Sequence, residues 1–158
     1  MASGPMGIHA EVILGLDPGR DKIGFAFVGR DGALLFSGIF PSRERDAFWA
    51  AVKGESAARF MPWLRESPIP FPVQGRPFRV VVGNGTYGDT LLAEAREQVS
   101  CEVVEVDERG TTLEARDLYW RLHRPAWWRR FLPRGLWGSP RPLDDLAAWA
   151  IALRSFDV

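Results

Sequence analysis

The sequence is poor in the residues that bind metals through sulfur or imidazole, with one cysteine, Cys101, and two histidines among 158 residues. A single cysteine excludes an intramolecular disulfide and a multi-cysteine zinc site, and it favours a reducing, cytoplasmic location. No apolar run approaches the roughly 18 residues that a membrane helix needs, and residues 1–10 lack the pattern of a secretory signal. We therefore expect a cytoplasmic protein that does not enter a membrane.

The chain also lacks net charge, since 20 basic residues balance 20 acidic ones. Overall charge therefore gives no reason to expect a polyanionic partner, and only local clusters can do so. Lys22 and Lys53 are the only lysines, so the basic charge is almost entirely arginine. Arginine suits bidentate phosphate binding, although a GC-rich genome produces the same bias. The length and the 46% hydrophobic content predict one domain, residues 1–158, with a sizeable core.

The order of the apolar segments predicts an α/β fold. Five strands are predicted at residues 12–16, 23–28, 33–40, 79–82 and 101–106. Helices are predicted at residues 43–64, 89–98, 111–122 and 144–156, with Phe48, Val52, Phe60, Trp63, Leu113 and Leu118 facing the core. Short turns favour antiparallel pairing of the first three strands, and the later alternation of strands and helices favours parallel strands.

Acidic residues stand at the ends of predicted strands and at the start of the last helix. Asp17 ends the first strand, Asp107 and Glu108 follow the fifth, and Asp144 and Asp145 open the helix. Carboxyl ends of parallel strands converge at one crevice, so we expect these groups to meet there. Such a cluster repels itself unless a hard cation such as Mg²⁺ or Mn²⁺ neutralises it, and two such ions can clamp a phosphodiester. Taken singly, each acid has a simpler role as a turn former or helix cap.

The predicted loop at residues 124–142 is rich in arginine and tryptophan. Between residues 109 and 142, eight arginines stand against two acidic residues. Guanidinium groups interleaved with aromatic rings are suited to binding phosphates and stacking on bases, which predicts contact with nucleic acid. The alternative roles of this loop are packing on the core of the protein and docking of a protein partner. The residues predicted to bind nucleic acid are Lys22, Arg109, Arg124, Trp127, Trp128, Arg129, Arg130 and Arg134.

Three segments carry a resemblance to a known family. They are residues 14–24 (LGLDPGRDKIG), 104–115 (VEVDERGTTLEA) and 142–148 (PLDDLAA). They resemble the first-strand aspartate motif, the D-E-R-x-T-T-x-E-A signature and the final aspartate of the YqgF/RuvX family, which are RNase H-like proteins related to the RuvC Holliday junction resolvases. The second match is the most specific, and the three together extend over nearly the whole chain.

The resemblance implies an RNase H-like fold, with a mixed five-stranded sheet flanked by helices. It implies Asp17, Glu108 and Asp144 as catalytic carboxylates that bind two Mg²⁺ or Mn²⁺ ions, with Asp107 and Asp145 as neighbouring candidates should the register differ by one. The implied activity is phosphodiester hydrolysis in structured nucleic acid, either branched DNA such as a Holliday junction or precursor 16S ribosomal RNA. On a junction, symmetric cutting would require a homodimer.

The loop after the fourth predicted strand departs from the resolvase pattern. RuvC enzymes place a glutamate near this strand end, whereas this chain has Asn84 in the segment VVGNGT, residues 81–86. That segment looks more like the RNase H-like domain of the Tex transcription-associated proteins. The alternative function is therefore a catalytically inactive nucleic-acid-binding module. We favour a nuclease, because a non-catalytic module that binds a polyanion gains nothing from clustered carboxylates.

Overall fold

A six-stranded mixed sheet forms the centre of the structure. The computed structural model describes residues 11–54, 57–68, 76–124, 127–133 and 141–157. The strands are β1 (Val12–Asp17), β2 (Lys22–Gly29), β3 (Leu34–Pro41), β4 (Leu64–Glu66), β5 (Pro77–Gly83) and β6 (Glu102–Val106). Their order is β4-β3-β2-β1-β5-β6, with antiparallel pairing from β4 to β1 and parallel pairing of β1 with β5 and of β5 with β6. The predicted mixed α/β architecture, with antiparallel first strands and parallel later strands, is confirmed, but the sheet has six strands and not the five that were predicted.

Four α-helices cover the two faces of the sheet. They are α1 (Arg45–Lys53), α2 (Gly88–Gln98), α3 (Thr111–Leu122) and α4 (Asp144–Arg154). Short 3-10 turns are formed by Ser42–Glu44, Ala57–Trp63, Trp127–Phe131 and Ser155–Asp157. Within the described part of the chain, no helix has the length and apolar character to cross a membrane.

Each face of the sheet has its own hydrophobic core. On one face, β1 and β2 pack against α1 and α2, mainly through aromatic rings that centre on the fully buried Phe25. On the other face, α4 and α3 pack on alternate residues of the same strands, such as Ile13 and Ala26. The residues of α4 that face the sheet include the small side chains of Ala147 and Ala148, so this helix lies close to the backbone of β1 and β2.

Two of the local predictions were wrong. The helix predicted over residues 43–64 is interrupted: α1 ends before Gly54, a 3-10 turn containing Pro62 follows, and Leu64 already belongs to β4. Glycine and proline both disfavour a continuous helix, and pairing with β3 supplies the backbone partners of the sixth strand. Leu113 was predicted to face the core but is 63% exposed.

The remaining predicted core positions of these two helices are confirmed. Phe48, Val52, Phe60, Trp63 and Leu118 are all buried. The helical spacing therefore identified the inward side of the chain correctly even where the helix itself was interrupted.

Candidate active site

The candidate site lies at the carboxyl ends of the parallel strands. Asp17 is the last residue of β1, and β5 and β6 end at the same edge of the sheet. An open cleft of about 470 Å³ lies there, lined among others by Asp17, Glu108 and Asp144. The three carboxylates therefore come from three elements that are distant in sequence. The parallel arrangement of β1, β5 and β6 accounts for the meeting of Asp17 and Glu108, and α4 brings Asp144 to them.

Glu108 follows β6 by two residues, and the loop after β5 holds it in place. The backbone N–H of Glu108 donates to Oδ1 of Asn84 at 3.2 Å, and the N–H of Asn84 donates to the carbonyl of Val106 at 3.0 Å. The Glu108 carboxylate lies directly over Gly85, where any Cβ atom would collide with Oε1. The carboxylate thus reaches the end of β5, a strand whose following loop, with Asn84, carries no acid of its own.

Asp144 is the first residue of α4 and lies beside the start of β2. Its Oδ2 atom is 3.1 Å from Nζ of Lys22, an ion pair that is partly exposed to solvent. Gly24 pairs with Asp17 across β1 and β2, and a side chain at Gly24 would collide with the backbone of Asp144. The absence of that side chain lets the first turn of α4 approach Asp17.

Burial and neighbouring carboxylates together disfavour the ionised form of Asp17. Burial raises the pKa of Asp17 to about 8, and the hydrogen bond with Glu108 and the negative charges of Glu108 and Asp144 act in the same direction. Lys22 lowers the pKa of Asp17, but it does not outweigh these causes. Near neutral pH, Asp17 therefore retains a proton that it shares with Glu108. A cation bound between the two carboxylates would displace this proton.

The carboxylates fit a hard divalent cation in their chemistry and partly in their geometry. Carboxylate oxygens are ligands that suit Mg²⁺ and Mn²⁺ ions. Asp17 and Glu108 are close enough to share a hydrogen bond, whereas Asp144 faces Lys22. No group of three acidic, histidine or cysteine side chains among the described residues is tight enough to hold a metal ion. A cation would thus be held by Asp17 and Glu108, and Asp144 would have to leave Lys22 to join them.

Asp107 and Asp145, the two neighbouring candidates, do not line the cleft. Asp107 is exposed, and its Oδ1 atom accepts a hydrogen bond from the N–H of Arg109 at 2.9 Å. Asp145 is fully buried, with Arg141 donating to Oδ1 at 2.8 Å and the Ser37 hydroxyl donating to Oδ2 at 2.6 Å. The structure therefore brings Asp17, Glu108 and Asp144 together and places the other two acids elsewhere.

Comparison with solved structures finds chains whose overall path is similar to that of this protein. A solved structure described as "Thermus thermophilus RuvC structure" is similar to this chain, with 20% sequence identity and a TM-score of 0.44. The similarity covers 90% of this chain and 91% of that chain. No protein-family model and no curated protein matches the sequence.

Two arginines that sequence analysis did not single out also line the cleft. Arg20 lies beside Asp17 and Glu108. Arg116, on α3, lines an adjoining recess of about 180 Å³ that shares Asp17 and Asp144 with the main cleft. The sequence predicts that Arg116, in the segment DERGTTLEAR, lies on a helix. Its position near the carboxylates depends on the packing of α3 against α4, which the sequence does not show.

The predicted nucleic-acid-binding residues fall into two groups. Lys22 lies in the cleft region beside Asp144, and Arg109 is exposed after β6. The members of the arginine- and tryptophan-rich segment lie between α3 and α4, where Arg124, Trp127, Trp128 and Arg130 are exposed. Arg129 belongs to the same 3-10 turn as Trp127, and Arg134 lies outside the described residues.

A buried carboxylate on β4 connects the two sides of this segment. Glu66 hydrogen-bonds Nε2 of His123 at 2.8 Å, just after α3, and accepts a hydrogen bond from Nη2 of Arg141 at 2.6 Å, just before α4. Arg141 also holds Asp145, so Glu66, Arg141, Asp145 and Ser37 form one polar network. Sequence analysis missed Glu66 and Ser37, because their partners are far away in the sequence and no local pattern marks them.

Proposed function

We propose that this protein is a divalent-metal-dependent nuclease that hydrolyses phosphodiester bonds in structured nucleic acid. The observation that carries the proposal is the meeting of Asp17, Glu108 and Asp144 over one open cleft. The raised pKa of Asp17 indicates that bringing these carboxylates together destabilises the folded protein. A contribution to stability therefore does not explain the grouping. Carboxylates that are costly to fold and lie in a cleft are typical of catalytic sites.

The residues of the cleft have distinct roles in this reaction. Asp17 and Glu108 would hold the cation. Asp144 would complete the ligand set once its ion pair with Lys22 has broken. When bound, a pair of Mg²⁺ or Mn²⁺ ions supplies Lewis-acid polarisation of the phosphate and activation of the attacking water. Lys22, once released, is positioned to bind a phosphate oxygen.

Arg20 and Arg116 would orient the nucleic-acid backbone. The main cleft contains Arg20, the adjoining recess contains Arg116, and both share Asp17 and Asp144. A strand that places its scissile phosphate at the carboxylates therefore has two guanidinium groups available near it. Arginine binds phosphate in a bidentate manner and so fixes the direction in which the strand lies.

A nucleic-acid-binding module without catalysis is the second candidate. It is favoured by the lack of a tight three-ligand group among the residues that the structure describes. Asn84, where a resolvase-like acid is expected, accepts a hydrogen bond from the Glu108 backbone and so has a positioning role. Under this alternative, the chain binds branched DNA or structured RNA without cutting it.

The decisive experiment measures cleavage of a labelled four-way DNA junction and of precursor 16S RNA, with Mn²⁺, Mg²⁺ or a chelator. Wild type is compared with Asp17→Asn and with Asp46→Asn, a control at an exposed position of α1. Metal-dependent cleavage that is lost only in Asp17→Asn supports the nuclease and identifies its substrate. Binding without cleavage under every condition rejects the nuclease in favour of the binding module. Sizing of the junction complex tests whether a homodimer forms there.

A further inference from the structure

The segment between α3 and α4 presents an aromatic turn, Trp127–Phe131, to solvent. Phe131 is 79% exposed and Trp127 is 72% exposed, the highest values among the large hydrophobic residues that the structure describes. Trp128 is 50% exposed. Adjacent aromatic side chains at such exposure are unfavourable in water and typically mark a binding surface.

The two most exposed rings are arranged so that stacking partners can reach them. Trp127 and Phe131 meet edge to face, with 6.3 Å between ring centroids and an interplanar angle of 85°. An edge-to-face pair covers an edge of one ring and one face of the other, so three of the four ring faces stay outside this contact. Flat open rings are the groups on which nucleic-acid bases stack.

The charge around the aromatic turn is of one sign. Residues 118–143 contain six arginines and no acidic residue. Arg124 and Arg130, on either side of Trp127, are both exposed. The arginines of this surface complement the negative charge of a polyanion. The exposed aromatic rings favour a polyanion that also has flat apolar groups to stack on them. In a duplex those faces are covered by neighbouring bases, so the matching ligand is an unpaired nucleotide segment.

The aromatic turn is tethered to the wall of the candidate active site. His123 and Arg141, on the two sides of the segment, both bond to Glu66. Arg141 also lines the recess that contains Asp17. Trp127 follows His123 by four residues, so its Cα lies within about 14 Å of the Cα of His123 at full extension. The turn therefore belongs to a segment whose two ends are anchored at Glu66, next to the recess that Arg141 lines.

We propose that the aromatic turn binds unpaired nucleotides of the substrate, with bases stacked on Trp127 and Phe131 and phosphates held by Arg124 and Arg130. This inference rests on the proposed nuclease function only for the statement that the bound strand is the substrate. It narrows the substrate class to nucleic acid that has single-stranded nucleotides beside the cleavage point.

The test compares a labelled oligothymidylate with an abasic oligomer that has the same number of phosphates, in the presence of a chelator. Wild type should bind the oligothymidylate more tightly, because only that oligomer can stack. The double variant Trp127→Ala/Phe131→Ala should lose about tenfold or more in affinity for the oligothymidylate and keep its affinity for the abasic oligomer. Met61→Ala, which removes a side chain 58% exposed elsewhere, should change neither affinity.

The proposal is overturned if wild type binds both oligomers equally or if the double variant binds the oligothymidylate as wild type does. The latter result would leave the turn available to a protein partner. Because the chelator excludes metal-dependent cleavage, loss of the nuclease proposal would not alter these binding results. Conversely, cleavage that persists without any base-dependent binding would reject only the role of the aromatic turn.

Discussion

At the scale of single residues, the position of Glu108 depends on a neighbour without a side chain. The Glu108 carboxylate occupies the space over Gly85 in which a Cβ atom would lie. Asn84 holds the backbone of Glu108 from the same loop. The loop between β5 and α2 therefore positions the carboxylate of Glu108, a residue that follows a different strand, β6.

Replacing Gly85 tests this arrangement. In Gly85→Ala, the new methyl group collides with Oε1 of Glu108 and moves the carboxylate away from Asp17. We expect metal-dependent cleavage to fall by at least about tenfold, the rate change produced by about 1.4 kcal/mol, with an unchanged circular dichroism spectrum. Gly54→Ala is the matched control, since the nearest atoms lie 3.2 Å from the new Cβ. Full activity of Gly85→Ala would show that Glu108 does not act from this position.

The raised pKa of Asp17 makes stability depend on pH. Above its ordinary pKa of 3.8, Asp17 ionises in the unfolded chain, whereas in the folded protein it stays protonated up to about pH 8. Folding therefore takes up a proton over this range, and the contribution of Asp17 to stability falls as pH rises from about 4 to about 8. Because asparagine does not ionise, Asp17→Asn removes this loss of stability at high pH.

We expect Asp17→Asn to be more stable than wild type at pH 8 by about 5 kcal/mol, the energy of a rise in pKa from 3.8 to about 8, or by about 10 °C or more in Tm. The two proteins should converge as pH falls towards 4, because wild-type Asp17 is then protonated in both states. Calorimetry in chelator between pH 4 and pH 9 measures the difference. A constant difference across that range would contradict the assignment of the proton to Asp17.

At the scale of elements, the first turn of α4 separates two adjacent aspartates into different functions. Asp144 is partly exposed and faces the cleft beside Lys22. Asp145 is fully buried and bonded to Arg141 and Ser37. Helical geometry places consecutive residues about 100° apart, so one residue faces the cleft and the next faces the interior.

Alanine substitutions should distinguish the two aspartates. Asp145→Ala leaves the partly buried Arg141 without this carboxylate and should lower the free energy of unfolding by about 3 kcal/mol or more. Asp144→Ala removes only a solvent-exposed ion pair, so its effect should stay within about 1 kcal/mol while cleavage is lost. Urea unfolding and the cleavage assay measure the two effects. Equal destabilisation by both variants would contradict this division.

The sequence predicted most elements because their apolar spacing is local. The strands at residues 12–16 and 23–28, for example, need only a short apolar run and a neighbouring turn to be recognised. The edge strand β4 was missed because it has three residues and exists only through pairing with Ser37 and Gly38 of β3. Glu66 was missed with it, since its partners come from α3 and from the residue range before α4.

The candidate site was predictable to the extent that motifs mark strand ends. Positions after apolar runs indicated Asp17 and the pair Asp107 and Glu108, and the family resemblance then selected Glu108. The choice between Asp144 and Asp145 depends on the rotation of α4 against the sheet, which the close approach at Gly24 determines. Arg20 and Arg116 could not be assigned from sequence, since their relation to the cleft arises from packing between elements.

At the scale of the whole molecule, a net charge of zero conceals a strongly uneven distribution. Residues 118–143 hold six arginines without an acid, and the cleft nearby holds three carboxylates. A nucleic acid would therefore be attracted by the basic segment and repelled by the cleft until a cation binds. Affinity without metal should come from the basic segment alone.

Salt dependence measures this division. Each phosphate contact on a single strand contributes about −0.7 to the slope of log affinity against log salt. Arg130→Ala should therefore make the slope shallower by about 0.7, whereas Arg65→Ala, at an exposed position of β4, should leave it unchanged. Fluorescence anisotropy with a labelled oligothymidylate at several salt concentrations gives both slopes. Equal slopes for wild type and Arg130→Ala would remove this arginine from the contacts.

Glu66 holds both ends of the segment between His123 and Arg141. The composition of this segment and the separation of its ends, which usually change together, can therefore change independently. Because His123 and Arg141 meet at one carboxylate, the polypeptide between them can change in length or composition without altering the separation of its ends. Loop length itself adds little entropic penalty. Related chains could therefore acquire new targets by exchanging this segment, and a protein engineer could graft a different recognition loop between the same two anchors.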